Sequence, residues 1–249
     1  MRILVTNDDG IHAEGIRVLF DVLSLSFDTY MIAPDSERSG CSNAFTIHRA
    51  MVLKKEGDKQ FSLNGFPADC VNVGLHGDII PPVDLIVSGI NHGPNLGDDL
   101  FFSGTVAGAR TAYIFGKNGI ALSMDSYHRP SEYFKDASLF LVSFIHELIL
   151  QKNSPWFFNI NYPDIPMEEV RGTQYTVPCK RLYRDTYMKE HINTHEMQVR
   201  LEGDIESVAP EGSDMDVVKK GYISITPLSI DCTDHAFLST VAGGDLRRE

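Results

Sequence analysis

Apolar positions fall in short blocks along the first half of the chain, and polar, glycine-rich segments separate them. Arg2 to Thr6 is a brief apolar run and predicts a buried strand, broken by Asn7-Asp8-Asp9-Gly10. Gly15 to Leu25 then repeats apolar residues at helical spacing, and Asp28 to Ala33 predicts a second strand stopped by Pro34. Val52 to Lys55 and Gln60 to Leu63, joined through Gly57-Asp58, predict a small hairpin. A helix is expected from Pro67 to Leu75, opened by its proline. Asp84 to Val87 is the strongest buried-strand pattern, and it runs into the polar segment Ser88 to Gly104. Thr105 to Phe115 predicts a helix whose Ala107, Gly108, Ala109 and Ala112 make a close-packing face. Gly119 to Ser123 is another strand, and Ser131 to Leu150 a long amphipathic helix with Phe134, Phe140 and Phe144 on its core side.

Strands alternating with helices predict an α/β fold with a mostly parallel sheet covered on both faces. Beyond Pro155 the pattern turns to strands at Phe157–Asn161, Gln174–Val177, Met197–Leu201 and Tyr222–Thr226. The expected organisation is one α/β domain over residues 1–249, with a core over about 1–150 and a β-rich extension or arm over about 151–249.

Composition narrows the functional classes. The 249 residues carry 22 Lys+Arg against 34 Asp+Glu, a formal net charge of −12, which disfavours a protein that grips duplex nucleic acid through its phosphates. Cys41, Cys70, Cys179 and Cys232 stand far apart with no C-x-x-C pair, so neither a zinc framework nor a disulfide scaffold is expected. The start, Met1 to Val5 followed by Asp8-Asp9, lacks a signal-peptide pattern. Ala137 to Leu150, the longest apolar stretch, contains His146 and Glu147 and is too short to span a bilayer. A soluble cytoplasmic protein is the expectation.

Candidate chemistry gathers in three loops, each after a predicted strand, where doubly wound sheets bind ligands. In Asn7-Asp8-Asp9-Gly10, two adjacent carboxylates at a strand tip repel each other unless solvated or bridged by a cation; a polar turn opening a helix is the plainer alternative. In Pro34 to Gly40, Ser39 offers a hydroxyl oxygen and Arg38 a fork suited to phosphate, while on its own the segment reads more simply as an exposed loop. The third runs from Ser88 to Asp99 and continues to Ser103-Gly104-Thr105. Asn91 and Asn95 supply amides, and Gly104-Thr105 opens a predicted helix whose free N–H groups favour an anion. Asp98-Asp99 reads as a solvated acidic turn or a second metal site. Carboxylate, hydroxyl and amide oxygens together suit Mg²⁺ or Mn²⁺ better than zinc or copper, and such a metal beside a helix N-terminus points to phosphoryl chemistry.

Other signatures fail. There is no G-x-G-x-x-G and no G-x-S-x-G. Gly10 and Gly15 have P-loop spacing, but Ile16-Arg17 stands where Lys-Ser/Thr is needed. His191 and His195 are four apart without a glutamate following His191, in a region that reads as strand.

Taken in order, Ile3 to Gly10, Ala33-Pro34 with Arg38-Ser39-Gly40, Asn64-Gly65 with Pro67 to Val71, Val87 to Asn91, Gly93 to Gly97, Ser103 to Val106 and Gly221 to Leu228 closely resemble the survival protein SurE family of divalent-metal-dependent nucleotidases. The resemblance implies a Rossmann-like three-layer α/β fold that hydrolyses nucleoside 5′- or 3′-monophosphates to nucleoside and phosphate with a metal-activated water. It implies one Mg²⁺ or Mn²⁺ per subunit, with Asp8, Asp9, Ser39 and Asn91 as ligands. It implies phosphate binding by Asn95, Ser103, Gly104 and Thr105, and a homodimer or homotetramer built through a C-terminal arm. Cys41, Phe66 and the segment Lys180-Arg181-Leu182-Tyr183-Arg184 depart from the family pattern, while Asp231, Thr233 and His235 fit its tail and are expected to position the arm.

On this reading Asp8 or Asp9 takes the proton of the attacking water, and the Gly104 and Thr105 amides steady the phosphate's oxygens. Two rivals are a covalent Asp8 phospho-enzyme, disfavoured by the absent Asp-x-Asp spacing, and a non-catalytic, metal-dependent nucleotide sensor.

Overall fold

The computed structural model describes residues 1–127, 131–149 and 155–241. Its elements in chain order are β1 (Arg2–Thr6), α1 (Glu14–Ser24), β2 (Asp28–Pro34), β3 (Leu53–Gly57), β4 (Gln60–Leu63), α2 (Pro67–His76), β5 (Leu85–His92), α3 (Gly104–Ile114), β6 (Asn118–Asp125) and α4 (Phe134–Ile149). The second half adds β7 (Phe157–Pro163), β8 (Thr173–Tyr175), β9 (Lys180–His191), β10 (Met197–Val208), α5 (Asp214–Lys219), β11 (Ile223–Pro227) and α6 (His235–Val241). A nine-stranded sheet runs β3-β4-β2-β1-β5-β6-β7-β11-β8, and β9 pairs with β10 in a separate hairpin.

The middle of the sheet is parallel. Ile3 lies opposite Thr29 of β2 on one side and Leu85 of β5 on the other. From β1 the chain first builds outward through β2 and β4, then returns to the other side of β1 to lay down β5, β6 and β7. That reversal leaves a crevice beyond the carboxyl ends of β1 and β5, where connecting loops diverge.

Burial explains the layers. Ile3, Leu4 and Val5 are fully buried, and their side chains alternate between the two sheet faces. Ile3 and Val5 belong to the core under α1 and α4, with Ile16, Leu19, Leu23, Leu141 and Ile145. Leu4 belongs to the opposite core, with Ile32, Cys70, Val71 and Ala112 from under α2 and α3. The α/β three-layer arrangement expected from the pattern is therefore present. The small-residue face of α3 does its expected work, since a Cβ on Gly108 would come within 2.7 Å of Ser88 Oγ and 3.1 Å of Thr6 Cγ2.

The second half differs in detail from its strand pattern. β7, β8 and β11 extend the sheet, whereas Met197–Leu201 is only the first part of the twelve-residue β10. β9, equally long, faces water on both sides along most of its length and so lacks the alternation that marks a half-buried strand. His191 and His195 are exposed on this hairpin, and no cluster of three His, Cys, Asp or Glu able to hold a metal occurs among the described residues. Leu150, placed by pattern at the end of the long helix, lies outside the described residues. Among those residues no helix is long and apolar enough to cross a membrane.

Gly15 at the start of α1 shows how closely the helices approach the strand tips. A Cβ there would stand 2.2 Å from the Ile90 carbonyl oxygen of β5, a backbone atom that cannot swing aside. Gly15→Ala is expected to cost about 1–3 kcal/mol by displacing α1 from β5, read as a lower urea midpoint.

Candidate active site

The loop after β1 is closed by its own first residue. Fully buried Asn7 donates from Nδ2 to the Gly10 carbonyl at 3.0 Å and accepts from the Gly10 amide at 3.2 Å, while Gly10 takes φ 96°. The turn aims Asp8 inward. Its carboxylate accepts the Thr105 hydroxyl, and its carbonyl accepts the Arg38 amide at 2.6 Å. Ser103 caps α3 by accepting from the Val106 amide at 3.0 Å, so the first turn of α3 is directed at Asp8. Gly104 is required for this approach, because a Cβ would fall 2.8 Å from Asp8 Oδ2 and 2.7 Å from Cys41 Sγ.

Electrostatics follow from that packing. Burial pushes the Asp8 carboxyl above its ordinary range, against the opposing pull of the Thr105 hydroxyl and the Gly104 and Thr105 backbone. Asp9 is pushed up to about 6, by burial and then by the charge of Asp8, although the His92 amide donates to its Oδ2 at 3.3 Å. Neither carboxylate has a Lys or Arg partner among the described residues.

The other loops present lone pairs to the same place. Asn91 Nδ2 donates to the Gly93 carbonyl at 2.7 Å, which leaves its Oδ1 as an acceptor. The Ser39 hydroxyl donates to Glu37 Oε1 at 2.8 Å and likewise keeps oxygen lone pairs. A cavity of about 350 Å³ brings together Asp8, Ser39, Asn91, Asn95 and Ser103. Asp9 lies on an adjoining pocket of about 290 Å³ with Glu37, and His92 borders both.

Arg38 is not brought to the cavity. Its guanidinium bonds Asp35 at 3.0 Å and the Gly65 carbonyl at 3.2 Å, and it lies over the Phe66 ring. Asp98 and Asp99 are neither a solvated turn nor a metal pair. Asp98 takes Lys180 Nζ at 2.9 Å, and Asp99 takes Arg181 Nη2 at 2.9 Å and the Tyr183 hydroxyl at 2.8 Å. A one-dimensional pattern cannot show that cations eighty residues away fold back onto this turn.

Several contributors have no assignment from sequence. Asn161 on β7 mimics a strand edge for Asn95, accepting its amide at 2.8 Å and donating to its carbonyl at 3.0 Å. Asn159 adds a second donor to that carbonyl at 2.8 Å, and Ser123 accepts from Asn95 Nδ2 at 2.8 Å. Two asparagines spaced by two within the wholly buried β7 are a readable signal, because a strand buried on both faces excludes amides that lack a partner. Arg181, Tyr127 and Ile205 complete the far wall of the cavity.

A family model of "Survival protein SurE" matches residues 3–185. The chain belongs to the SurE family. It is 38% identical over 243 residues to the 5′-nucleotidase SurE of Leptospira interrogans (strain Fiocruz L1-130), covering 97% of both chains. It is 38% identical over 250 residues to the 5′-nucleotidase SurE of Geobacter sulfurreducens, covering 99% of this chain and 94% of the relative. The crystal structure of the SurE protein from Aquifex aeolicus superposes with a TM-score of 0.83 at 30% identity, over 98% of this chain and 99% of that one. The fold of this SurE chain and the order of its site loops thus agree with family membership.

The raised Asp9 value has a measurable consequence. Its folded-state value lies above that of an unfolded chain, so its contribution to stability is full below about pH 4 and is lost as pH rises through about 6. In EDTA, Asp9→Asn is therefore expected to be more stable than the parent at pH 8, with the difference shrinking toward pH 5 in chemical denaturation.

Proposed function

We propose that this SurE protein is a divalent-metal-dependent phosphomonoesterase that releases phosphate from nucleoside 5′-monophosphates, and from 3′-monophosphates where the sugar fits the same cavity. The observation that carries the reading is the adjacent pair of buried Asp8 and half-buried Asp9, two carboxylates with raised values and no Lys or Arg partner among the described residues. Such a pair requires counter-charge, and the neighbouring oxygens of Ser39 and Asn91 have their hydrogens turned toward protein acceptors. These four residues fit one hard divalent cation, Mg²⁺ or Mn²⁺, per subunit. When bound, such an ion supplies charge that polarises a phosphoryl oxygen and makes water a better nucleophile.

The chain's own groups do the rest. Asp8 or Asp9, the carboxylates of the site, takes the proton of the attacking water. As the water oxygen bonds to phosphorus, the ester P–O bond breaks and the nucleoside oxygen leaves, taking a proton. Ser103 and Asn95, which line the cavity, receive the phosphate's oxygens, with Gly104 and Thr105 completing the first turn of α3 behind them against Asp8. The relatives named 5′-nucleotidase support this substrate class.

Phosphate release from AMP or GMP with Mn²⁺ is expected to stop in excess EDTA. Asp8→Asn is expected to lower kcat by at least about a hundredfold with the fold retained. Phosphate release by Asp8→Asn at the parent rate in saturating metal would sink the assignment.

The hairpin fits an oligomerisation arm. Met197, Val199 and Leu201 share one exposed face of β10, and Tyr187 of β9 stands opposite Leu201. A homodimer or homotetramer is proposed, with Leu201→Asp shifting the sedimentation coefficient toward that of the monomer.

A further inference from the structure

The cavity wall away from Asp8 is supplied by the root of the hairpin. Arg181, the second residue of β9, is 7% exposed although most of the hairpin beyond it faces water. Its guanidinium joins two elements, with Nη2 at 2.9 Å from Asp99 Oδ2 and Nη1 donating to Ser207 Oγ of β10 at 2.8 Å. The Arg181 amide and Lys180 Nζ meet Asp98 Oδ2 at 2.9 Å each. The Tyr183 ring, whose hydroxyl binds Asp99, stands edge-on to Phe102.

What Asp99 does with its backbone gives these contacts their meaning. Its carbonyl accepts the amides of Phe102 and Ser103 at 3.0 Å each, closing the 3₁₀ turn Gly97–Phe101 and placing Ser103 as the cap of α3. The start of the same turn is tied to the chain just before β9 by buried Asp214, which accepts from Gly97 N and Cys179 N at 2.8 Å each. The turn that delivers Ser103, Gly104 and Thr105 is therefore clasped at Asp98-Asp99 by the hairpin root and at Gly97 by Asp214 of α5, which also holds Cys179 just before β9.

We propose that Arg181 is a positioning residue for phosphate binding: acting through Asp99, it holds the first turn of α3 in place, so the site is complete only with the hairpin root docked. The inference rests on the nucleotidase reading for the identity of the bound group. A planar fork serves two acceptors on separate elements, and lysine, a point charge, replaces it only in part. Without the guanidinium, Asp99 keeps Tyr183 but loses its counter-charge and turns toward water, pulling the turn with it. Displacements of about 1 Å in a positioning element cost up to roughly a hundredfold in turnover.

The test uses the full chain with Mn²⁺ and the variants Arg181→Met, Arg181→Lys, Asp99→Asn and Asp99→Asn/Arg181→Met. Arg184→Met serves as comparator, because Arg184 pairs at 3.2 Å with Glu206 on the exposed part of the hairpin. Affinity for inorganic phosphate, affinity for Mn²⁺ alone, and kcat and KM for AMP are measured, with circular dichroism to verify folding. Arg181→Met is expected to weaken phosphate binding and lower kcat/KM at least about tenfold while Mn²⁺ affinity stays within about twofold. Arg181→Lys should fall between, Arg184→Met should match the parent, and the double variant should be no worse than the worse single one, as for groups acting as a unit.

A folded Arg181→Met with parental phosphate affinity overturns the proposal, as do additive losses in the double variant or an equal loss in Arg184→Met. Should Arg181→Met fail to fold, Arg181→Lys and Asp99→Asn decide the matter by the same affinities. A parent that binds phosphate but releases none from nucleotides defeats the nucleotidase reading alone, and the phosphate affinities still judge Arg181.

Discussion

The fold is organised around one costly group, the Asp8 carboxylate buried at the tip of the central strand against the start of a helix. A charge in that place needs polar partners, and the structure supplies them at close range: the Thr105 hydroxyl and the first turn of α3. That proximity dictates sequence in turn. Gly104 has no room for a Cβ beside Asp8, and Gly108 one turn later has none beside Ser88. The close approach of α3 to the sheet and the local electrostatics of the site are thus the same constraint seen from two sides.

Contacts from β7 and the hairpin root keep the surrounding loops in register with Asp8. Asn159 and Asn161 hold the backbone of Asn95 from β7, in the way a neighbouring strand would. The Asp98-Asp99 turn is held by the hairpin root, so residues far apart in the chain share responsibility for one cavity wall. The acidic excess of the chain therefore has different local meanings. At Asp8 and Asp9 it has no Lys or Arg partner among the described residues, and at Asp98 and Asp99 it is met by Lys180 and Arg181.

The first half of the fold was legible because its strands and helices are buried on definite faces, and burial writes periodicity into sequence. The expected helix Gly15–Leu25 and the observed α1 differ by one residue at each end. The three loops could be read as site elements because each follows such a strand. The hairpin was less legible, since a strand exposed on both faces carries no alternating code, and β9 is of that kind. Arg38 misled because a guanidinium beside a candidate ligand suits phosphate, yet Asp35 and the Gly65 carbonyl engage it locally. Arg181 and Asn161 were missed for a simpler reason. Their roles come from long-range pairing, and only the topology that sets β7 and the hairpin root beside the third loop reveals them.

The central claim is that strand-tip carboxylates and a helix N-terminus form one site for a cation and a phosphate. It is tested most directly by diffraction at the manganese absorption edge from crystals grown with Mn²⁺ and inorganic phosphate. An anomalous peak coordinated by Asp8, Asp9, Ser39 and Asn91 is expected, with phosphate beside it at the start of α3. A peak at Asp98-Asp99 instead, or a phosphate seated away from Gly104 and Thr105, would contradict it.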